Sequence, residues 1–225
     1  MIRKSDFPIL EFDNDRDALI TPQMFGEAHG SLGTDKLIIS FFKDAINTLL
    51  DEGKIVVHKI IKGENNLVLY KFVDDDVLLM HGIIGCAATG GYLDELTGCG
   101  IKKVMFCGGG GVLDKNIEVG ELLVVEGAIR DEGFSYHYIE PSRIVYSQAD
   151  VREKIALRKA EGARIVEMEQ AGCLAVAQFR EIKYGAIIYG GDDVSGSTWD
   201  SRMWRDRGSI RYNMIEICRN LVKDI

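Results

Sequence analysis

The residues best suited to chemistry in this chain are carboxylates set beside glycines. Tyr189-Gly190-Gly191-Asp192-Asp193 puts two carboxylates just beyond Tyr184–Tyr189, an apolar run that reads as a buried strand. A carboxyl group there is a candidate general acid if partial burial or an acidic neighbour raises its pKa. Asp192 is the candidate, and Asp193 is read as a turn or cap residue. Upstream, Val166-Glu167-Met168-Glu169 stands where an apolar stretch passes into a helix, Gln170–Arg180. Carboxylates near a helix N-terminus are favourable in any protein. An acceptor-only carboxylate held there can also grip two vicinal hydroxyls of a sugar.

A second glycine cluster, Gly108-Gly109-Gly110-Gly111, follows the apolar run Lys103–Cys107. A strand that ends in glycines exposes backbone N–H groups at the carboxyl edge of a sheet, where α/β folds bind ligands. Glycine lets an anion come close to the main chain. The alternative is a tight turn with no ligand. A dinucleotide fingerprint does not fit, because Val112–Val119 contains Asp114, Lys115 and Asn116 and reads as a loop, not a helix.

The elements that position these groups follow from apolar periodicity. Residues 35–50 are predicted to form a helix, capped by Thr34 or Asp35, with Ile38, Phe41, Phe42, Ala45, Ile46 and Leu49 at helical spacing. Ile55–Ile61, Leu67–Phe72 and Val77–His81 read as strands of a meander, parted by polar turns. Residues 87–99 are predicted helical and Glu121–Ile129 a strand. Ile155–Ala160 and Glu169–Phe179 are predicted helices, and the last helix spans about 203–222. Strands and helices alternate through the second half, which indicates an α/β domain with a largely parallel sheet.

Composition sets the outer limits. The chain of 225 residues suits a single domain, 1–225, and its 46% hydrophobic and 28% charged residues are those of a globular protein. The net charge of -8 disfavours binding to a nucleic acid polymer, which needs basic patches. No apolar run approaches a membrane span, and Met1–Asp6 leads into no signal-peptide core, so a cytoplasmic location is expected. The five cysteines form no CxxC pair and are expected to be buried reduced thiols. The scattered histidines show no zinc spacing, so no metal is expected.

Four segments, taken together, carry a resemblance. They are the glycine run after Val104–Cys107, Ile117–Leu122, Arg130-Asp131-Glu132-Gly133-Phe134-Ser135-Tyr136-His137-Tyr138, and Val166–Glu169 with the strand that ends at Asp192. Over most of residues 77–222 the chain resembles the nucleoside phosphorylase family, which includes uridine phosphorylase, hexameric purine nucleoside phosphorylase and methylthioadenosine nucleosidase. The resemblance implies a three-layer α/β/α sandwich around a mixed, partly barrel-like sheet. It implies a pentosyltransferase that cleaves the N-glycosidic bond of a nucleoside, with inorganic phosphate as nucleophile and no other cofactor. Water as nucleophile, or a nucleoside-binding descendant without catalysis, are the alternatives. A homo-oligomer, a dimer or trimer of dimers, is expected.

Carried onto this chain, the resemblance makes Glu169 and Met168 ribose contacts and Asp192 the acid that protonates the base. Arg207 falls where an arginine assists that acid. Arg16, Thr89, Gly108 and Gly109 are what remains of a phosphate site. Departures are plain: Phe106 replaces the arginine before the glycine run, Gly109 replaces a hydroxyl residue, and no arginine lies between Arg16 and Arg130. A base-contacting strand is also missing, because only Pro141–Ile165 separates the last two motifs. Gln148 and Arg152 are the polar residues considered for the base in that shortened span.

Overall fold

A computed structural model describes residues 2–13, 15, 18–138 and 157–225. Arg16, Gln148 and Arg152 lie outside the described residues. The strands are β1 (Lys36–Ser40), β2 (Ile55–Ile61), β3 (Leu67–Phe72), β4 (Leu78–His81), β5 (Lys103–Val112), β6 (Leu122–Val124), β7 (Ile165–Val166) and β8 (Lys183–Asp193). Among the described residues the α-helices are α1 (Pro22–His29), α2 (Lys43–Asp51), α3 (Cys86–Gly98), α4 (Gln170–Arg180) and α5 (Gly208–Asp224). Residues 157–160 are also helical. Among the described residues no helix is long and apolar enough to cross a membrane.

The strands form one mixed sheet in the order β2-β3-β4-β1-β5-β8-β6, with β7 added against β5. The β4, β1, β5 and β8 strands run parallel, and β2–β3–β4 form the expected antiparallel meander. Alternate residues of each central strand feed two cores. Leu37, Ile39, Val104, Phe106 and Ile188 pack with Leu93 and Leu96 of α3 and Cys173 and Val176 of α4. Ile38, Met105, Cys107 and Tyr189 pack with Ile46 and Leu49 of α2 and Met214 and Cys218 of α5. The sheet is therefore the middle layer of three. All five cysteines are buried free thiols.

The predicted helix over 35–50 is instead β1 followed by α2. Leu37, Ile38 and Ile39 are each fully buried. A strand covered on both faces buries three consecutive apolar residues, about 1.5–3 kcal/mol each, whereas a helix with one buried face cannot. The glycine runs are corrected in the same way. Neither is a turn: β5 continues through Gly111 to Val112, and β8 through Gly191 to Asp193. The strand expected over Glu121–Ile129 is limited to Leu122–Val124, and the last helix begins at Gly208.

Helix α1 docks on α3 through two glycines that almost touch. A Cβ on Gly98 would lie 1.6 Å from the Pro22 carbonyl oxygen, and one on Gly26 would lie 2.1 Å from that of Gly98. Both obstacles are backbone, which cannot swing aside. Gly91, in the same helix, meets nothing within 4 Å. Gly98→Ala should therefore lower stability by about 1–3 kcal/mol through overpacking. Gly91→Ala should raise it by roughly 0.5–1 kcal/mol through helix propensity. Urea midpoints of the two variants, read against the parent, measure both signs.

Candidate active site

The site is built on the carboxyl end of β5. Strand β1 stops at Ser40, opposite Cys107, and β7 pairs with β5 only from Gly111 onward, Val166 opposite Gly111 and Ile165 opposite Val112. Because β8 occupies the other edge of β5, β7 lies on the β1 edge. Gly108, Gly109 and Gly110 thus face a gap between two strands. The connection from β4 to α3 borders this gap, tied by the Gly82 N–H to the Ser40 carbonyl at 2.9 Å. Glu169 borders it too, its Oε1 accepting from the Gly85 N–H at 2.7 Å.

The glycines of the two runs are needed for close approach, not for unusual torsions, since none has positive φ. A Cβ on Gly109 would lie 2.8 Å from the Tyr189 ring, and one on Gly110 would lie 2.6 Å from Ile165 and 2.9 Å from the Val166 carbonyl. Glycine at 190 lets the Ile117–Leu122 segment close over β8. A Cβ there would lie 2.8 Å from the Glu118 carbonyl, while the Gly120 N–H bonds the Gly190 carbonyl at 2.8 Å.

Asp192 sits in a β-bulge. Between Gly110 and Val112, β5 advances two residues while β8 advances three, from Gly190 to Asp193. Bulges redirect side chains, and glycine in a strand commonly marks one. A Cβ on Gly111 would lie 3.6 Å from Asp192 Oδ1 and 3.1 Å from Val166 Cγ1. The strand that leads into Glu167 and the carboxylate of Asp192 therefore meet at the same glycine. The Trp199 indole donates to Asp192 Oδ2 at 2.6 Å, and Trp199 itself is 65% exposed. Asp193 accepts from the Ser195 N–H at 2.7 Å and pairs with Arg202 at 2.6 Å, so it fastens the loop after β8.

The Glu-Met-Glu segment divides its tasks. Glu167 Oε2 accepts from the backbone N–H groups of Glu169 and Gln170, both at 2.7 Å, and so caps α4. Burial drives its carboxyl up to about 7, against those two bonds, and the carboxylates of Glu169 and Glu132 push the same way. Glu169 is buried at the start of α4, where desolvation also raises its pKa against the Gly85 N–H. Met168 is 61% exposed between them. The Arg130–Tyr138 segment braces this corner. Phe134 lies against Gly90 of α3 and Gly172 of α4, where a Cβ would come within 2.4 and 3.0 Å of its ring. Arg130 bonds Ser135 Oγ at 2.8 Å and stacks on Tyr136.

Other expected residues are placed differently. Thr89 is buried in α3, where its hydroxyl donates to the Ile83 carbonyl and accepts from the Ile83 N–H at 3.0 Å. Arg207 stands at the N-cap of α5, with its Nε buried and without a hydrogen-bond partner among the described residues. No hydrogen bond among the described residues joins it to Asp192, whose partner is Trp199. Sequence reasoning did not single out Gly85, Trp199 or Gln170.

Comparisons with known proteins define the family and the fold. Residues 37–149 match the family model of the Phosphorylase superfamily, which is half of the chain, and the protein belongs to that superfamily. Its members named below are nucleoside phosphorylases and nucleosidases. A guanosine phosphorylase of Halorubrum lacusprofundi is 30% identical over 95 residues, 42% of this chain and 38% of that protein, so the match spans well under half of the relative. The fold resembles purine nucleoside phosphorylase of Toxoplasma gondii in complex with immucillin-H (TM-score 0.65, 14% identity, 85% of this chain and 92% of that one). It also resembles AMP nucleosidase of Bacteroides thetaiotaomicron (TM-score 0.61, 17% identity, 89% of this chain and 100% of that one).

The raised pKa of Glu167 has a measurable consequence. The folded protein holds this proton up to about 7, whereas the unfolded chain releases it near the ordinary value of 4.5. Between those values the folded state binds more protons, so this contribution is fully present below the lower value and lost as pH rises through the upper one. Glu167→Gln removes it. Thermal melts in a pH series should show the variant gaining on the parent from about pH 5 to 7.5, with the gain levelling off above that.

Proposed function

We propose that this protein cleaves the N-glycosidic bond of a nucleoside. The observation that carries the reading is the shared glycine edge, where Asp192 and the strand entering Glu-Met-Glu meet at Gly111. In this reading Glu169 accepts hydrogen bonds from the ribose hydroxyls and Met168 packs on the sugar. Asp192, steadied by Trp199, gives a proton to the departing base. Charge builds on base and sugar together in an oxocarbenium-like transition state, and the carboxylates serve both ends. Membership of the superfamily and the likeness to a guanosine phosphorylase support a nucleoside as substrate.

Phosphate is the proposed nucleophile, received by the backbone at Gly108 and Gly109, with Thr89 and Arg16 as its further proposed contacts. Water is the second reading, and one observation favours it: the Thr89 hydroxyl already donates its proton to Ile83.

The test is cleavage of inosine, guanosine, adenosine and uridine with and without phosphate. Phosphorolysis yields ribose 1-phosphate and needs phosphate; hydrolysis yields ribose and does not. Asp192→Asn should lower kcat by roughly 10²–10⁴-fold, the usual worth of a positioned acid, and Glu169→Gln should lower kcat/KM by roughly 10–100-fold, the worth of hydrogen bonds to a charged acceptor. A parent inactive on the whole panel, or variants as active as the parent, would refute the proposal.

A further inference from the structure

Arg211, in the first turn of α5, holds its guanidinium between aromatic rings. Its side chain is only 11% exposed, and the charge lies 5.6 and 5.4 Å from the ring centres of Phe42 and Trp204. Burying such a charge costs free energy that a methionine of similar length would not. Its bonds show what the charge holds. Nη1 donates to Asp44 Oδ1 on α2 at 3.1 Å, and Nε donates to the Tyr189 hydroxyl at 3.3 Å.

Tyr189 is fully buried. Its hydroxyl accepts from Arg211 and donates in turn to the Trp204 carbonyl at 3.0 Å. Its ring seats on the glycine edge, the nearest carbon 2.8 Å and the hydroxyl oxygen 3.2 Å from a Cβ on Gly109. Trp204 seats on the residue before Asp192, its own Cβ 3.6 Å from a Cβ on Gly191. One hydroxyl therefore links the backbone at the glycine edge to the backbone that carries Asp192. Glu169 stands outside this chain of contacts, because Gly85 holds it.

From this geometry we infer that Arg211 is a positioning residue for the cleavage proposed above. Through the Tyr189 hydroxyl it sets the separation of the Gly108–Gly109 edge from Asp192, and so of the nucleophile from the acid that protonates the base. The inference rests on that reaction. A misplacement of about 1 Å can cost roughly 10²-fold in rate. The ribose contacts are held independently, so the loss falls on kcat and not on KM. Arg219, in the same helix, is the natural comparison. It bonds Asp75 at 2.7 Å and lies over the Phe72 ring, with no bond to Tyr189 or Trp204 among the described residues.

Steady-state kinetics of Arg211→Met, Tyr189→Phe and the double variant test this, on a nucleoside that the parent cleaves and well below each melting temperature. Each single variant should lower kcat at least tenfold and change KM less than threefold. The double variant should be no slower than the slower single one, since both remove the same link. Arg219→Met should lower the melting temperature and keep kcat within twofold, which separates positioning from stability. If Arg211→Met does not fold, Tyr189→Phe, which loses one oxygen, decides alone. The inference is overturned if the single variants lose less than tenfold in kcat, if KM rises in step with the loss, or if the two losses multiply in the double variant. A parent that cleaves while the variants keep pace sinks the inference alone; a parent that cleaves no nucleoside sinks the proposed function and the inference with it.

Discussion

Where the carboxyl ends of β5 and β8 run side by side, six glycines, 108–111, 190 and 191, remove the Cβ atoms that would hold other segments away. Tyr189 lies over Gly109, β7 crosses at Gly110 and Gly111, and the 117–121 segment closes over Gly190. The approaches at Gly109, Gly110 and Gly190 come within 2.9 Å of an ideal Cβ position, closer than real Cβ contacts come, and that at Gly111 is a tight 3.1 Å. One steric condition therefore brings four stretches of chain to one place. The absent side chains also leave the backbone of Gly108–Gly110 as the surface of the gap between β1 and β7.

Electrostatics then separates carboxylates that look alike in sequence. Glu167 and Glu169 are two residues apart, both at the start of α4, and burial raises both. Glu167 spends one oxygen on two N–H groups of its own helix, whereas Glu169 reaches across to Gly85, the residue that opens α3. That link ties two helix N-termini together through one side chain. Phe134 fills the space between the same helices against Gly90 and Gly172. The Arg-Asp-Glu-Gly-Phe run is in this sense a brace for the carboxylate corner.

The meander, α3, α4 and the apolar core of β5 were legible because their patterns are local: alternation in Leu67–Phe72, helical spacing in 86–98. Misreadings arose where tertiary burial overrides local pattern. Leu37-Ile38-Ile39 looks helical beside Phe41 and Ala45 until both faces of the sheet are known to be covered. A run of four glycines looks like a turn because the neighbours that require glycine, Tyr189 and Val166, lie far off in sequence. Asp192 and Glu169 were legible as candidates from residue type and neighbourhood. Their partners, Trp199 and Gly85, were not, because only folding brings them near.

The bulge at Asp192 makes chain length a property of the site. Side chains on a strand alternate, so one residue more or less reverses which face each one serves. Between the points where β8 pairs with Gly110 and with Val112, the chain carries one residue beyond the count of its neighbour. The two adjacent acids part company here, one toward Gly111 and Trp199 and one toward Ser195 and Arg202, and the surplus residue resets which of them takes each side. Spacing, as much as identity, tells the catalytic candidate from the structural aspartate.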